Sequence, residues 1–467
     1  VAQNSNSFDY DLIVIGCGPA GQRAAIQAAK IRKRVAIIDR REVVGGVCVN
    51  TGTIPSKSFK EAVLFLTGIR QRKMYGAGFR VKTDITMADL TFRCNHVMQI
   101  EIETIKNQLQ RNRVDTLYGH AAFVDPHTVE ISSSAGVVRK TAGQFVIAVG
   151  ARPYRPSNVQ FNGSSIFDSD DVLNLKKLPR DLTVVGGGVI GTEYASMFAA
   201  LGVNVTMVDQ RKRLLGFVDE ELIDNFHYQM RSMGVRLRLG EEVASCAPRE
   251  DNQVVTHLKS GKVIVSDCVL YSAGRVSATN DLGLEELGLT ADDRGKLTVN
   301  ENFQTSVPHV YAAGDVIGFP ALASTSARQG RLASCHAFGI QEETMDIPLP
   351  FGIYAIPEIS YVGRNEEELT KEGIPYECGI ARYREIARGQ LLGDENGMLK
   401  VLFHRETGQV LGVHIIGEYA TELIHIGQAV MALKGGLNYL KDAVFNYPTL
   451  AECYKVAALD GYNKLRA

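Results

Sequence analysis

The sequence predicts an α/β protein made of two doubly wound units with a separate carboxyl-terminal α+β part, and three observations predict it. A 28-residue pattern occurs twice; each copy reads strand, glycine turn, helix, strand; and from residue 351 onward short strands alternate with helical stretches without a glycine turn. Residues 12–39, LIVIGCGPAGQRAAIQAAKIRKRVAIID, align without a gap on residues 182–209, LTVVGGGVIGTEYASMFAALGVNVTMVD, at a constant offset of 170. Such repetition is the mark of one supersecondary unit used twice.

Each copy opens with a short apolar run that reads as a buried strand, continues through G-x-G-x-x-G into an alanine-rich helical stretch, and closes on a second apolar run ending in Asp. Gly16 and Gly186 permit the tight turn, Gly18 and Gly188 let the backbone approach a pyrophosphate, and Gly21 and Gly191 let helix and strand pack closely. The amino end of the helix then faces the phosphates with unpaired N–H groups and the positive end of its dipole. Asp39 and Asp209, each 23 residues after the first glycine, are placed for a ribose hydroxyl. Two copies in register predict two Rossmann-like dinucleotide-binding domains. Two sites imply two ligands, a flavin and a nicotinamide, because a hydride relay needs a donor beside an acceptor.

Further on, TVNENFQTSVPHVYAAGDVIG (298–318) places Gly314 and Asp315 just after an apolar strand, where an acid can bind a hydroxyl of a flavin's ribityl chain. The related strand endings FVIAVGARP (145–153) and CVLYSAGRV (268–276) flank the second fingerprint, as the two crossings of a nucleotide domain inserted into a flavin domain. The expected boundaries are 1–152 for the first part of the flavin domain, 153–276 for the nicotinamide domain, 277–350 for the rest of the flavin domain and 351–467 for an interface domain. That last part, with FGIYAIPEISYVG, MLKVLFHRE and TELIHIGQAVMALKGG, has no nucleotide motif and reads as a packing or dimerisation element.

Composition excludes several classes. At 467 residues there is length for about three domains. A net charge of −1, 22% charged and 45% hydrophobic residues give no electrostatic argument for nucleic acid or a membrane surface. No apolar run approaches a membrane span, and the amino end lacks the pattern of a signal peptide, so the expected location is cytoplasmic. The eight cysteines, at 17, 48, 94, 246, 268, 335, 378 and 453, include no C-x-x-C and no metal-ligand spacing, so small reduced core residues are expected and no metal.

With both fingerprints, GGVCVNTGTIPSK (45–57), AAGD and NYPTLAE quoted, the chain resembles the FAD-dependent pyridine nucleotide-disulfide oxidoreductases over nearly its whole length. The resemblance implies tightly but non-covalently bound FAD, NAD(H) and NADP(H) as substrates, and a homodimer or larger homo-oligomer. It also implies flavin contacts from Arg40, Gly45, Gly46, Cys48, Lys57, Gly150, Leu322 and Ala323 beside the fingerprint residues, and a nicotinamide-nucleotide contact from Gly274. Lys57 matches the family's flavin-facing lysine and Glu193 its glutamate partner; a cation there stabilises an anionic reduced flavin.

Two departures bear on one half-reaction. The family motif G-G-x-C-x4-C-I-P-S-K keeps its first cysteine as Cys48, while the second, which accepts electrons from the flavin, is Thr53. A threonine hydroxyl forms neither thiolate nor disulfide. The family's H-P-T-x-x-E has Tyr447 at the histidine position with Glu452 kept, and a phenol of pKa about 10 is a poor base at neutral pH. Loss of the dithiol with both nucleotide units intact is similar to the soluble pyridine nucleotide transhydrogenases of the family, of the Si-specific type. Their expected reaction is ping-pong hydride transfer between NADPH and NAD+ through FAD.

Asp209 favours NAD through the ribose 2′-OH, yet Arg211, Lys212 and Arg213 follow it, placed to neutralise a 2′-phosphate. Such a site is ambivalent, as one site serving both nucleotides requires; a solvated basic loop is the plainer reading. Cys48 reads as packing near the isoalloxazine, with a relic or a sulfenic acid former as alternatives. The competing functions are a diaphorase or NAD(P)H oxidase, a degenerate dihydrolipoamide dehydrogenase, and a non-catalytic FAD-binding scaffold.

Overall fold

The computed structural model describes residues 8–342 and 347–466. The chain forms two compact units. The first comprises residues 1–58, 91–154 and 274–343, and the second residues 59–90, 155–273 and 344–467.

The first unit is built on a seven-stranded sheet. Tyr10–Ile15 lies between Val35–Asp39 and Gly136–Ile147, parallel to both, with Leu12 opposite Val35 and Ile13 opposite Phe145. Asp115–Tyr118 adds one edge, Val310–Ala312 pairs with Phe145–Ile147, and Thr128–Ser133 and His120–Asp125 continue the sheet as an antiparallel meander. Strand alternation sends Leu12 and Val14 into one core with Ala24, Ala28, Ile105 and Leu109, and Ile13 and Ile15 into another with Phe123, Phe145 and Leu284. Both faces are therefore covered, which is why this strand reads as a continuous apolar run. Helix Ala323–Ala337 packs tightly on helix Pro19–Lys30 because position 330 is glycine: a Cβ there would strike the Ala20 carbonyl.

The second unit holds a parallel sheet in the order Arg236–Leu239, Asn204–Asp209, Asp181–Val185, Cys268–Tyr271, Ile166–Phe167. A three-stranded antiparallel sheet spans Val243–Ser266. The carboxyl-terminal part is a five-stranded antiparallel sheet in the order Phe351–Ile353, Ile359–Gly363, Val410–Ile416, Met398–His404, Tyr376–Arg382, backed by helices Ala420–Ala432 and Glu452–Lys464. Among the described residues no helix is long and apolar enough to cross a membrane.

One buried cation ties the carboxyl-terminal sheet to the parallel-sheet part. Lys400 is fully buried, and its ammonium meets Asp219 at 3.1 Å, Glu221 at 3.2 Å and Glu366. Burial alone would lower its pKa, but Asp219 and Glu366 outweigh that and raise it. These carboxylates lie close enough together to ligate an ion, and the ammonium is what they hold. Asp219 is also the cap of helix Glu220–Ser232, accepting from the Glu221 N–H. Lys400→Met leaves three carboxylates facing one another and is expected to destabilise the protein by about 3 kcal/mol, read by urea unfolding of the variant against its parent. An unchanged unfolding midpoint would contradict a stabilising role for the cluster.

Candidate functional site

The two glycine turns have nearly the same geometry. Gly16 and Gly186 sit at φ +107° and +108°, in the left-handed region, and a Cβ on either would collide with the backbone of the neighbouring strand end, at Ala148 and Ser272 respectively. Gly21 and Gly191 allow each helix to rest on its own turn, since a Cβ there would strike the carbonyl of Gly16 or Gly186. Gly18 and Gly188 differ in kind: an added Cβ would meet nothing within 4 Å, so the backbone is bared toward open space. Helices Pro19–Lys30 and Val189–Ala200 begin with no side-chain cap and no acid in the first turn, which leaves their amide donors and positive dipole ends available to an anion.

The carboxylate that ends each second strand reaches back to its turn. Asp39 accepts from the Cys17 N–H at 3.0 Å and the Arg41 N–H at 3.0 Å. Asp209 accepts from the Gly187 N–H at 2.5 Å and the Arg211 N–H at 2.7 Å. In addition the Arg211 guanidinium lies bidentate on Asp209, with Nε and Nη2 each 2.8 Å from a carboxylate oxygen. Burial raises the pKa of Asp39; at Asp209 burial acts in the same sense but the hydrogen bonds from Arg211 and Gly187 prevail and hold it low. Arg213 is engaged elsewhere, with Glu367 at 3.0 Å and with Glu220, while Lys212 is exposed. The loop after Asp209 folds over the second turn, so that a Cβ on residue 187 would run into Leu214 and Asp209, and the Leu215 N–H donates to the Gly187 carbonyl at 3.1 Å. This explains why the second fingerprint has glycine where the first has Cys17.

In the first unit, Gly45 at φ +104° starts the short helix Gly46–Asn50, and its N–H donates to the Cys17 carbonyl at 3.1 Å. A Cβ on Gly46 would strike Gly18, so the paired glycines seat this segment against the turn. Cys48 follows on the helix, and a new helix, Thr53–Thr67, begins five residues later. Burial pushes the Cys48 thiol up, opposed by a hydrogen bond with Thr53 and the charge of Lys57. All eight cysteines are free thiols. Lys57 Nζ donates to Ser56 Oγ at 3.3 Å. Arg40 is exposed beside Asp39, and Gly150 is at φ +69° with open space around it.

Asp315 opens a short 3-10 turn, and its carboxyl is pushed up by burial against the charge of Arg275. Leu322 caps and Ala323 starts helix Ala323–Ala337, which likewise has no side-chain cap bond and no acid in its first turn. The hydroxyl of Thr51 is buried with no partner among the described residues. Bared glycine, uncapped helix starts, buried carboxylates and an unsatisfied hydroxyl in one unit are a donor and acceptor set that fits a flavin dinucleotide.

In the second unit Glu193 is buried, and its Oε1 accepts from the Tyr354 N–H at 2.8 Å. Gly274 lies in the first unit, where its carbonyl accepts from the Tyr154 N–H at 3.1 Å. Tyr447 is 74% exposed, and Glu452, at the head of the last helix, buries a carboxylate oxygen without a partner among the described residues. Sequence reasoning did not find the Arg211–Asp209 contact or the Lys400 cluster; for the former, the change from Cys17 to Gly187 was the available signal.

Residues 10–330 match the family model for pyridine nucleotide-disulphide oxidoreductase, and residues 349–458 match that family's dimerisation domain. The chain belongs to the pyridine nucleotide-disulphide oxidoreductase family. Within it, the chain is 54% identical over 461 residues to a soluble pyridine nucleotide transhydrogenase of Mycobacterium tuberculosis, covering 98% of each. It is 45% identical to one of Colwellia psychrerythraea, covering 98% of this chain and 99% of that protein. Among solved structures of this family, LpdA of Mycobacterium tuberculosis superposes with a TM-score of 0.88 at 28% identity, covering 96% of this chain and 99% of LpdA. The HOCl-induced flavoprotein disulfide reductase RclA of Escherichia coli gives a TM-score of 0.87 at 27% identity, with the same coverage.

The raised pKa of Cys48 makes it a neutral thiol at pH 7, since a group titrating above its usual range stays protonated below it. Alkylation of Cys48 by iodoacetamide in the native holoenzyme, followed by mass spectrometry, is expected to be slower than that of free cysteine at pH 7. It should accelerate only as the pH rises past the ordinary thiol range. Rapid labelling at pH 7 would reveal a thiolate and contradict this.

Proposed function

We propose that this chain is a soluble pyridine nucleotide transhydrogenase that moves a hydride from NADPH to NAD+, yielding NADP+ and NADH. FAD is held by the first unit, and the two nicotinamide nucleotides take turns in the second. One observation carries the reading: the chain keeps both nucleotide turns while Thr53 stands where a disulfide reductase needs its second thiol; the two relatives named above, matched over 98% of the chain, bear that name. FAD, when bound, supplies a group that takes up a hydride with its two electrons and gives them back.

The chain's own residues bind and orient. The uncapped helix starts at Gly18 and Gly188 take pyrophosphates, and Asp39 and Asp315 accept from ligand hydroxyls. Lys57 contributes a fixed positive charge near the start of helix Thr53–Thr67, and Glu193 is held in one orientation by the Tyr354 amide. Cys48 packs as a neutral thiol without a disulfide partner. The net reaction moves hydride from carbon to carbon, so the loss of a histidine base at position 447 removes nothing it needs. Its two nicotinamide couples are nearly isoenergetic, and nucleotide ratios set the direction. The match to a dimerisation domain supports a homodimer, and a cytoplasmic location suits a reaction between two soluble nucleotides.

Purified holoenzyme mixed anaerobically with NADPH and a spectrally distinct NAD+ analogue is expected to reduce the analogue. No reduction would overturn the proposal. Rapid NADPH consumption in air without NAD+ would indicate a diaphorase or oxidase, and flavin left oxidised by both nucleotides would indicate a scaffold.

A further inference from the structure

An ionised carboxylate has about four acceptor directions, two on each oxygen. At Asp209 all four are filled: Oδ1 by the Arg211 N–H and Nε, and Oδ2 by the Gly187 N–H and Arg211 Nη2. The first copy of the repeat is an internal control. Asp39 takes the two equivalent backbone donors from Cys17 and Arg41, and among the described residues no guanidinium closes on it, so it keeps acceptor capacity for a hydroxyl. The difference falls on the unit that, by the function proposed above, must accept a nucleotide with a 2′-phosphate and one without.

A phosphate beside a buried carboxylate is repelled, and beside a neutral carboxylate–guanidinium pair it is not. The Asp209 side chain is 6% exposed and fixed by two backbone donors, whereas that of Arg211 is 47% exposed and free to leave toward solvent. Arg213 points away from Asp209, to Glu220 and Glu367. We infer that Arg211 is the residue that makes the site accept both nucleotides, by covering Asp209 when NADP(H) is bound and releasing its oxygens to the ribose hydroxyls when NAD(H) is bound. Arg211 then acts mainly through Asp209, not as the ligand of the 2′-phosphate, a role left to the neighbouring Lys212. This rests on the reading that the second unit serves both nucleotides.

The test is isothermal titration of oxidised holoenzyme with NADP+ and NAD+, which needs no turnover. Arg211→Gln is expected to weaken NADP+ binding by about tenfold or more and to tighten NAD+ binding, because it uncovers a charge that repels one ligand and accepts from the other. A purely structural role would shift both affinities the same way, and a direct phosphate contact would leave NAD+ unchanged; either result overturns the inference. In an Asp209→Asn background, Arg211→Gln should no longer weaken NADP+, and an undiminished loss there would likewise overturn it. If the double variant does not fold, the opposite shifts in the single variant decide. A parent enzyme that binds only one nucleotide would overturn both this inference and the shared-site reading. Binding of both without hydride transfer would refute the proposed activity alone.

Discussion

Each nucleotide unit is closed by one hydrogen bond, from the amide inside the glycine turn to the carboxylate that ends the next strand. Cys17 and Asp39 make it in the first unit, Gly187 and Asp209 in the second. The bond joins turn, helix start and second strand into one piece, so that Gly18 and Gly188 present bare backbone to open space at the helix starts. Each glycine collision described above maintains this piece. Gly21 and Gly191 let the helix rest on the turn, Gly16 and Gly186 let the adjoining strand end approach, and Gly46 lets the Cys48 segment dock against it. The proposed chemistry depends on this arrangement, because in it the protein contributes position and charge while the cofactors carry the electrons.

The same bond is put to different use in the two units. Asp39 takes two backbone donors and keeps open acceptor directions. Asp209 is covered by Arg211, and the loop carrying that arginine is held against the turn by Leu214 and Leu215. Its far end reaches Asp219, where Lys400 fastens it to the carboxyl-terminal sheet. Within the second unit, the part without a nucleotide motif thus anchors the segment that carries Arg211.

Much of this was legible in the sequence because it is local. The constant offset of the two fingerprints reports a repeated backbone geometry, and Gly21 and Gly191 have a steric reason inside their own turn, against the Gly16 and Gly186 carbonyls. The strand alternation of Leu12 to Ile15 follows from the same local rules. What could not be read depends on partners far apart in the chain or on a side-chain rotamer. Lys400 lies 181 residues from Asp219, and no spacing rule links them. Arg211 following Asp209 was visible, but whether its guanidinium faces solvent or folds back on the carboxylate is settled by the loop packed over Gly187. The segment GGVCVNTGTIPSK shows both limits. Its Gly46 is explained by docking on Gly18, a contact across 28 residues, while the role of Cys48 rests on its neighbours in the fold.

In the proposed function electrons enter at a flavin and leave by the same route, with no thiol pair as a second store. The most direct measurement is an anaerobic reductive titration of the holoenzyme, counting reducing equivalents per flavin. Uptake of about two electrons is expected, the capacity of a flavin alone. Uptake of about four, with two going to a disulfide, would contradict it.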